Sequence, residues 1–408
     1  MKKSALALAV GAAVAAPAMA QDSTVQIYGK VYPEFLSTQA SGATGPGGVT
    51  SNLVAQVTTT DNDHKQRFAV DTQNSYLGFR GEEKLGGNLA AIWQIEQSLG
   101  FDTGDNGFWA NRNSFVGLRS NFGTVKLGNM DTIYKEFGDQ FSMFGLNSGN
   151  FTSASNTLSH IGMGTSRAAR FHERAQNSVQ YLSPEFSDFQ IGVQYSADEQ
   201  NGNPGRNLNA YNLSYGIKYD AQRFYLSVQQ EKHNDFFGGS LNAAATVANV
   251  TTATLATTTA HSVDTATRFT AVFRWTPDQQ FFFDIARLEY KESGQIGNGR
   301  FEKYERTNFA VGWEARWGGG PVRTGIQYVN MNEGKCSLTG GVDCTTTGLD
   351  GNQISLGTAY DFSKRTFIFA LYAKLTNGES ARFDNWANGD ANRGADITQW
   401  ALGVQHRF

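Results

Sequence analysis

The sequence has 408 residues, rich in Gly (45), Phe (29) and Tyr (15) and poor in Pro (7) and Cys (2). Only 17% of residues are charged, against about 25% in ordinary soluble domains. Mean hydropathy is −0.40, and beyond residue 20 no run of about 18 apolar residues occurs, which excludes a helical membrane bundle. Two Cys exclude a small disulfide scaffold, and a net charge of −3 with no basic block speaks against a nucleic-acid partner.

Residues 1–20 read MKKSALALAVGAAVAAPAMA. Lys2 and Lys3, an apolar stretch at 4–16 and the small-residue site Ala18-Met19-Ala20 make a cleaved signal peptide; the stretch is short for an anchor. Gln21 follows, so no lipid-modified N-terminus is indicated. The mature chain is expected to be 21–408, one domain with no internal repeat or linker, folding outside the cytoplasm.

From there the dominant period is two. Phe189, Ile191, Val193 and Tyr195 alternate with Gln190, Gly192, Gln194 and Ser196, and Trp400, Leu402, Val404 and Phe408 with Gln399, Gly403, Gln405 and Arg407. Sixteen strands are predicted in chain order: 25–37, 74–83, 88–99, 113–120, 123–131, 176–183, 188–197, 208–219, 222–232, 266–276, 280–290, 305–317, 321–331, 352–361, 365–376 and 398–408. Two of them, 279–290 and 365–376, are apolar on both faces in places. Short turns alternate with long connections near 38–73, 100–112, 132–175, 198–207, 233–265, 291–304, 332–351 and 377–397. The Ala/Thr-rich run at 241–260 reads as a surface loop.

An even strand number with tight turns on one side and long loops on the other is the pattern of an outer-membrane barrel. Closure pairs every backbone group and removes both sheet edges, which hydrocarbon demands. One face, rich in Phe, Tyr and Trp, suits lipid; the other, of Gly, Gln, Ser, Asn and Arg, suits a wet lumen. The fold class is therefore all-β, a transmembrane antiparallel β-barrel of 16 strands. A soluble β-sandwich or solenoid is the competing reading.

Four stretches resemble the general porins of β-proteobacteria, the group that includes neisserial and Burkholderia-type trimeric porins. They are NSYLGFRGEEKLGGNLAAIWQIE (74–96), NSFVGLRSNFGTVKLG (113–128), RAQNSVQYLSPEFSDFQIGVQY (174–195) and the C-terminal Phe408. The opening VQIYGKVYPEF is similar to the family's first strand. The resemblance implies a homotrimer in the outer membrane, surrounded by lipid. It implies a third loop folded into the lumen, and passive diffusion of ions and small hydrophilic solutes. It also implies insertion by the barrel-assembly machinery, which reads the strand ending in Phe408.

Parity turns Lys30, Arg80 and Lys126 toward the lumen, while the facing of Arg112 is ambiguous. The resemblance sets such basic residues against acids of the third loop, for which Glu136 and Asp139 are the candidates. Arg170 and Arg174, with Arg167, His172 and Glu173, end that loop and either cross the lumen or rejoin the wall. At two positions the chain departs from the family: Tyr76 stands where Arg is expected, and Asn129 where a basic residue is usual. A strong anion preference is thereby put in doubt. Cys336 and Cys344, eight residues apart, are expected to form a local disulfide, with free thiols as the alternative. No cofactor is implied. The six His are scattered without metal-ligand spacing, and no hydrolase or nucleotide-binding motif occurs. The expected function is a general diffusion pore; a solute-selective channel is the alternative, a binding role for loop 233–265 an addition, and an enzyme a distant third.

Overall fold

The computed structural model describes residues 24–60, 62–104, 109–146, 149–164, 170–199, 208–240, 259–385 and 391–408. The expected signal peptide, Arg167 and most of the Ala/Thr-rich run lie outside these residues. The strands are β1 (Thr24–Val31), β2 (Glu34–Ser41), β3 (His64–Asp71), β4 (Tyr76–Gly86), β5 (Leu89–Ser98), β6 (Ser114–Ser120) and β7 (Gly123–Asp131). After the third long connection come β8 (Arg174–Leu182), β9 (Phe189–Ala197), β10 (Tyr211–Asp220), β11 (Phe224–Asn234), β12 (His261–Thr276) and β13 (Gln279–Ser293). The set ends with β14 (Phe301–Arg316), β15 (Val322–Met331), β16 (Lys335–Leu338), β17 (Gly351–Asp361), β18 (Thr366–Asn377) and β19 (Asp396–Arg407).

These segments build a closed antiparallel barrel of sixteen staves. β1 and β2 are halves of the first stave, broken at Tyr32-Pro33, where Pro33 has no N–H to give a ladder. β3 and β4 are halves of the second, with β3 on β2 and β4 on β1. β16 is a hairpin arm that pairs with β14 above the wall. The last strand closes the ring: β19 pairs with β2 and, through Lys30↔Arg407 and Val31↔His406, with β1. Gly29 and Phe408 then exchange two backbone hydrogen bonds of 3.1 Å. A Cβ on Gly29 would sit 2.5 Å from the Phe408 ring, so the terminal ring lies flat on that backbone.

Outward residues such as Val25, Ile27, Ile191 and Phe281 are exposed, as a lipid-facing surface requires. The short-turn end carries Leu85, Phe122, Phe186, Trp275, Trp317 and Phe362, all exposed, as one aromatic-rich girdle. β12 and β14 run 16 residues and β13 runs 15, where about 9–11 suffice to span the bilayer. They extend past the predicted 266–276, 280–290 and 305–317. Toward that end of β13 the outward face changes from Phe281, Phe283 and Ile285 to Arg287, Glu289 and Lys291; Arg287 pairs with Glu305, and Glu289 with both Lys303 and Lys291. That switch places the edge of the hydrocarbon, and the extra residues rise above it. The second stave likewise begins at His64, ten residues before the predicted 74.

Among the described residues β3 has a ladder partner on one side, β2, and seven of its eight residues are exposed. Next to it Phe35, Phe68 and Trp400 form an outward aromatic cluster with centroids 5.7–6.1 Å apart. Cys336 and Cys344 are joined by a disulfide, with Cα atoms 5.8 Å apart. The residues on either side of Cys344 hold the first long loop: Ser51 donates to Thr345 O and Asn52 to Asp343 O, both at 2.7 Å.

Candidate functional site

The third long connection, 132–173, does not leave the barrel. Its first turn is the helix Ile133–Gly138, started by Thr132, whose hydroxyl accepts from Lys135 N. Ser214 of β10 accepts from Tyr134 N at 2.8 Å, and Tyr225 of β11 donates to Phe137 O at 2.6 Å. Phe141 stacks on Phe282 of β13 at 4.1 Å. Phe144 N donates to Glu314 on β14 at 2.8 Å. Met143 lies against Gly357 of β17, where an added Cβ would be 2.6 Å from its sulfur. The returning limb is held by Gln353 to Phe151 O (3.1 Å), Asn308 to Leu158 O (2.8 Å) and Arg306 to Ile161 O (2.7 Å). Wall side chains thus satisfy backbone groups of a segment that makes little regular structure.

Beneath the loop, Arg268 of β12 is 1% exposed. It donates twice to Asp284 of β13, at 3.0 and 2.6 Å, and once to Ser155 of the loop at 3.0 Å. Asp139 accepts from Ser155 at 3.0 Å and lies 3.4 Å from His172. Burial would raise the Asp139 carboxyl, but His172 and then Arg268 hold it well below the usual carboxylate range. Burial pushes the His172 imidazole down despite Asp139, with Lys135 and Arg268 adding to it. His160 is pushed well down by burial and by Arg170, Arg306 and Arg382.

The loop packs on the wall from β8, through Leu182 and Gln180, round to β18 and leaves β1 and β4–β7 largely bare. A cavity of about 500 Å³ lies between them, lined by Lys30, Tyr76 and Arg407 on the bare side and by Asp139, Gln140, Glu314 and Arg323 opposite. Toward the turns it shares Gln280, Glu314 and Arg323 with a second cavity lined by Arg274 and Arg316, and a third cavity is lined by Arg112, Arg170 and Arg174.

The residues singled out in the sequence, Lys30, Arg80 and Lys126 by parity and the rest by resemblance or position, fall into four groups. Lys30, Arg112 and Arg80 share the bare wall with Tyr28 and Tyr76. Arg112 faces the lumen and pairs with Glu96 at 2.5 Å; Arg80 donates to Gln26 at 2.9 Å. Lys126 donates to Gln180 at 3.1 Å, and Gln180 to Glu136 at 3.2 Å, so a neutral amide separates that base and acid. Asp139 turns back into its own loop. Arg170 and Arg174 stand at the mouth, 3.6 Å from Glu173 and 3.0 Å from Asp131. Asn129 donates to Arg112 O at 3.0 Å. Sequence reasoning did not single out Glu96, Arg407, Arg268 or Arg323; all four lie on lumen-facing parity, which was the available signal. Among the described residues no group of three or more His, Cys, Asp or Glu could hold a metal ion.

A family model described as Gram-negative porin matches residues 5–380. The major outer membrane protein P.IB of Neisseria gonorrhoeae is 28% identical over 313 residues, 75% of this chain and 79% of that protein. With the Neisseria lactamica protein of the same name the match is local: 38% over 151 residues, 37% of this chain and 40% of that protein. Among solved structures, an anion-selective porin from Comamonas acidovorans superposes with a TM-score of 0.69 at 21% identity, covering 95% of this chain and 100% of that one. OmpT of Vibrio cholerae in its trimer form does so at 0.58 and 15%, covering 95% and 100%.

Proposed function

The chain belongs to the Gram-negative porin family and is an outer-membrane β-barrel channel; we propose that ions and small hydrophilic solutes diffuse along its bare wall, with a modest preference for anions. One observation carries the preference. Among the described residues, four cations of this side have neutral acceptors: Leu146 O for Lys30, Gly145 O for Arg407, Gln26 for Arg80 and Gln180 for Lys126, whereas Arg112 is paired with Glu96. The loop acids do not touch these cations: Asp139 faces His172 and Ser155, and Glu136 accepts from Gln180, so four cations stand against two acids. Selectivity in a wide pore follows the charges beside the narrow part, and these leave a positive surplus.

Conductance in a planar bilayer under a KCl gradient tests this. The expected reversal potential has the anion sign, and Lys30→Gln with Arg407→Gln moves it toward cations. A cation-selective wild type, or a variant that does not move, removes these residues from the selectivity role. A folded barrel carrying no current, or one whose current saturates with one added solute, favours a solute-selective channel instead.

Three further features belong to the same reading. Residues 1–20 are a signal peptide and 21–408 one barrel domain. Phe408, seated on Gly29, is the end that the assembly machinery reads. Three copies assemble about the open edge of β3 and the Phe35–Phe68–Trp400 cluster, since an unpaired edge is costly in hydrocarbon and its polar tip suits protein better than lipid. Phe68→Asp is expected to yield monomers by light scattering; an intact trimer places the contact elsewhere.

A further inference from the structure

The position where the family resemblance expects Arg is Tyr76, and the structure gives that ring a task. Tyr76 faces Lys30 in the β1–β4 register. The Lys30 ammonium lies 5.7 Å from the centre of the Tyr76 ring and 5.3 Å from that of Tyr32. The Arg112 guanidinium lies 4.8 Å from the same Tyr76 ring. Tyr28 packs edge-on to Tyr76 at 6.1 Å and in turn receives Arg80 at 4.8 Å. Gly78 makes this possible, because a Cβ there would collide with the Tyr28 ring. Glu96 completes the set, pairing with Arg112 and accepting from the Tyr28 hydroxyl at 3.2 Å.

Three cations, on β1, on β4 and in the connection just before β6, therefore gather on the Tyr76 and Tyr28 rings, with Glu96 tied to Arg112 and to the Tyr28 hydroxyl. Without the rings they would repel one another and reach into the lumen. A ring face attracts a cation through its quadrupole without cancelling its charge. It can hold an ammonium against the wall and leave its field directed at passing ions. An acid in the same place would neutralise that field, and an Arg would add a further repelling, protruding charge. Lys30 fits this role: it is 2% exposed, and among the described residues its ammonium makes one hydrogen bond, to Leu146 O, long at 3.4 Å.

We propose that Tyr76 is a selectivity-setting positioning residue, whose ring holds the Lys30 ammonium and the Arg112 guanidinium flat on the bare wall so that the pore keeps both its width and its positive field. The inference rests on the diffusion-channel reading above. The contacts from Tyr76 to these groups run through its ring, so the hydroxyl is dispensable and aromaticity is the property that matters.

The test compares Tyr76→Phe, Tyr76→Leu and Tyr76→Gln in refolded full-length protein, with two readouts. The first is the anion-to-cation permeability ratio, with and without Lys30→Gln. Tyr76→Phe is expected to match wild type. In the Tyr76→Leu and Tyr76→Gln backgrounds the conductance falls, and the effect of Lys30→Gln on the ratio shrinks by about two- to fivefold, the span of an exposed cation–π contact. The second readout is the rate at which a small amine-acylating reagent labels Lys30, followed by peptide mapping. It rises severalfold in both non-aromatic variants and stays at the wild-type level in Tyr76→Phe. Additive effects of Tyr76 and Lys30 on the ratio, or unchanged labelling, overturn the proposal. If the wild type passes no current, the channel reading fails by itself, and the labelling still decides whether Tyr76 holds Lys30. Two non-aromatic variants guard against one that does not fold.

Discussion

The two halves of the barrel wall follow the same alternation and have opposite interiors. On β13 the inward residues include Phe282, Ala286, Leu288 and Tyr290, and on β18 Phe367, Phe369, Leu371 and Leu375, all buried. On β1 and β4 they are Tyr28, Lys30, Tyr76 and Arg80. The first half meets a loop, the second meets water. An inward position in a membrane barrel is thus not polar by rule; its chemistry follows what is packed against it. Rigidity and selectivity are divided accordingly, the covered half fixing the loop and the bare half presenting charge.

That division can be attacked at four points. The strongest is the Arg268–Asp284 pair. Asp284→Asn leaves a buried guanidinium without its counter-charge, a change that costs about 3–5 kcal/mol when a buried pair is broken. A clear fall in the thermal unfolding midpoint is expected, with flickering single-channel current as the loop loosens. A midpoint like that of wild type would mean the loop does not depend on the pair. Next is Phe282→Ala, which removes the platform under Phe141 and is expected to cost about 3 kcal/mol by the same measurement.

Acid comes third. His160 and His172 are held below the ordinary imidazole pKa, so the folded protein binds fewer protons than the unfolded chain once the pH drops below about 6.5. Stability present at neutral pH is therefore lost progressively below that point. Asp139, held low in the fold, adds its loss only below about pH 4. The unfolding midpoint should fall from pH 7 to 4, and His160→Gln with His172→Gln should flatten the slope; an unaltered slope would assign it to other groups. The smallest structural effect belongs to the bare wall. Arg80→Gln should change stability by less than about 0.5 kcal/mol while moving the reversal potential toward cations. A loss of stability comparable to that of Phe282→Ala would erase the distinction between the halves.

The staves were readable because one lipid-facing row of Val, Ile, Leu and Phe repeats at every second position. Their upper ends were not. At Arg287, Glu289 and Lys291 the outward row becomes charged, and the period that marks a strand in hydrocarbon vanishes although the ladder continues. β3 was missed for the same reason: His64, Lys65, Gln66 and Arg67 show no apolar face. The two segments that broke alternation, 279–290 and 365–376, were noticed, but their meaning, that the third loop lies against them, needed the fold. The facing of Lys30, Arg80 and Lys126 followed from parity. Their partners did not, because Gln26, Gln180 and Leu146 come from other staves or from the loop. Tyr76 read as a missing charge; only the register with Lys30 and the approach of Arg112 give its ring a role.

The bonds between Gly29 and Phe408 also make the ring an all-or-none object. The seam joins segments from opposite ends of the wall, with β19 laid against both halves of the first stave. Its loop-closure cost is that of the whole wall. A sheet short of this strand keeps two raw edges, whose backbone groups hydrocarbon cannot satisfy. Partial circumference is therefore not a smaller channel but an unstable sheet.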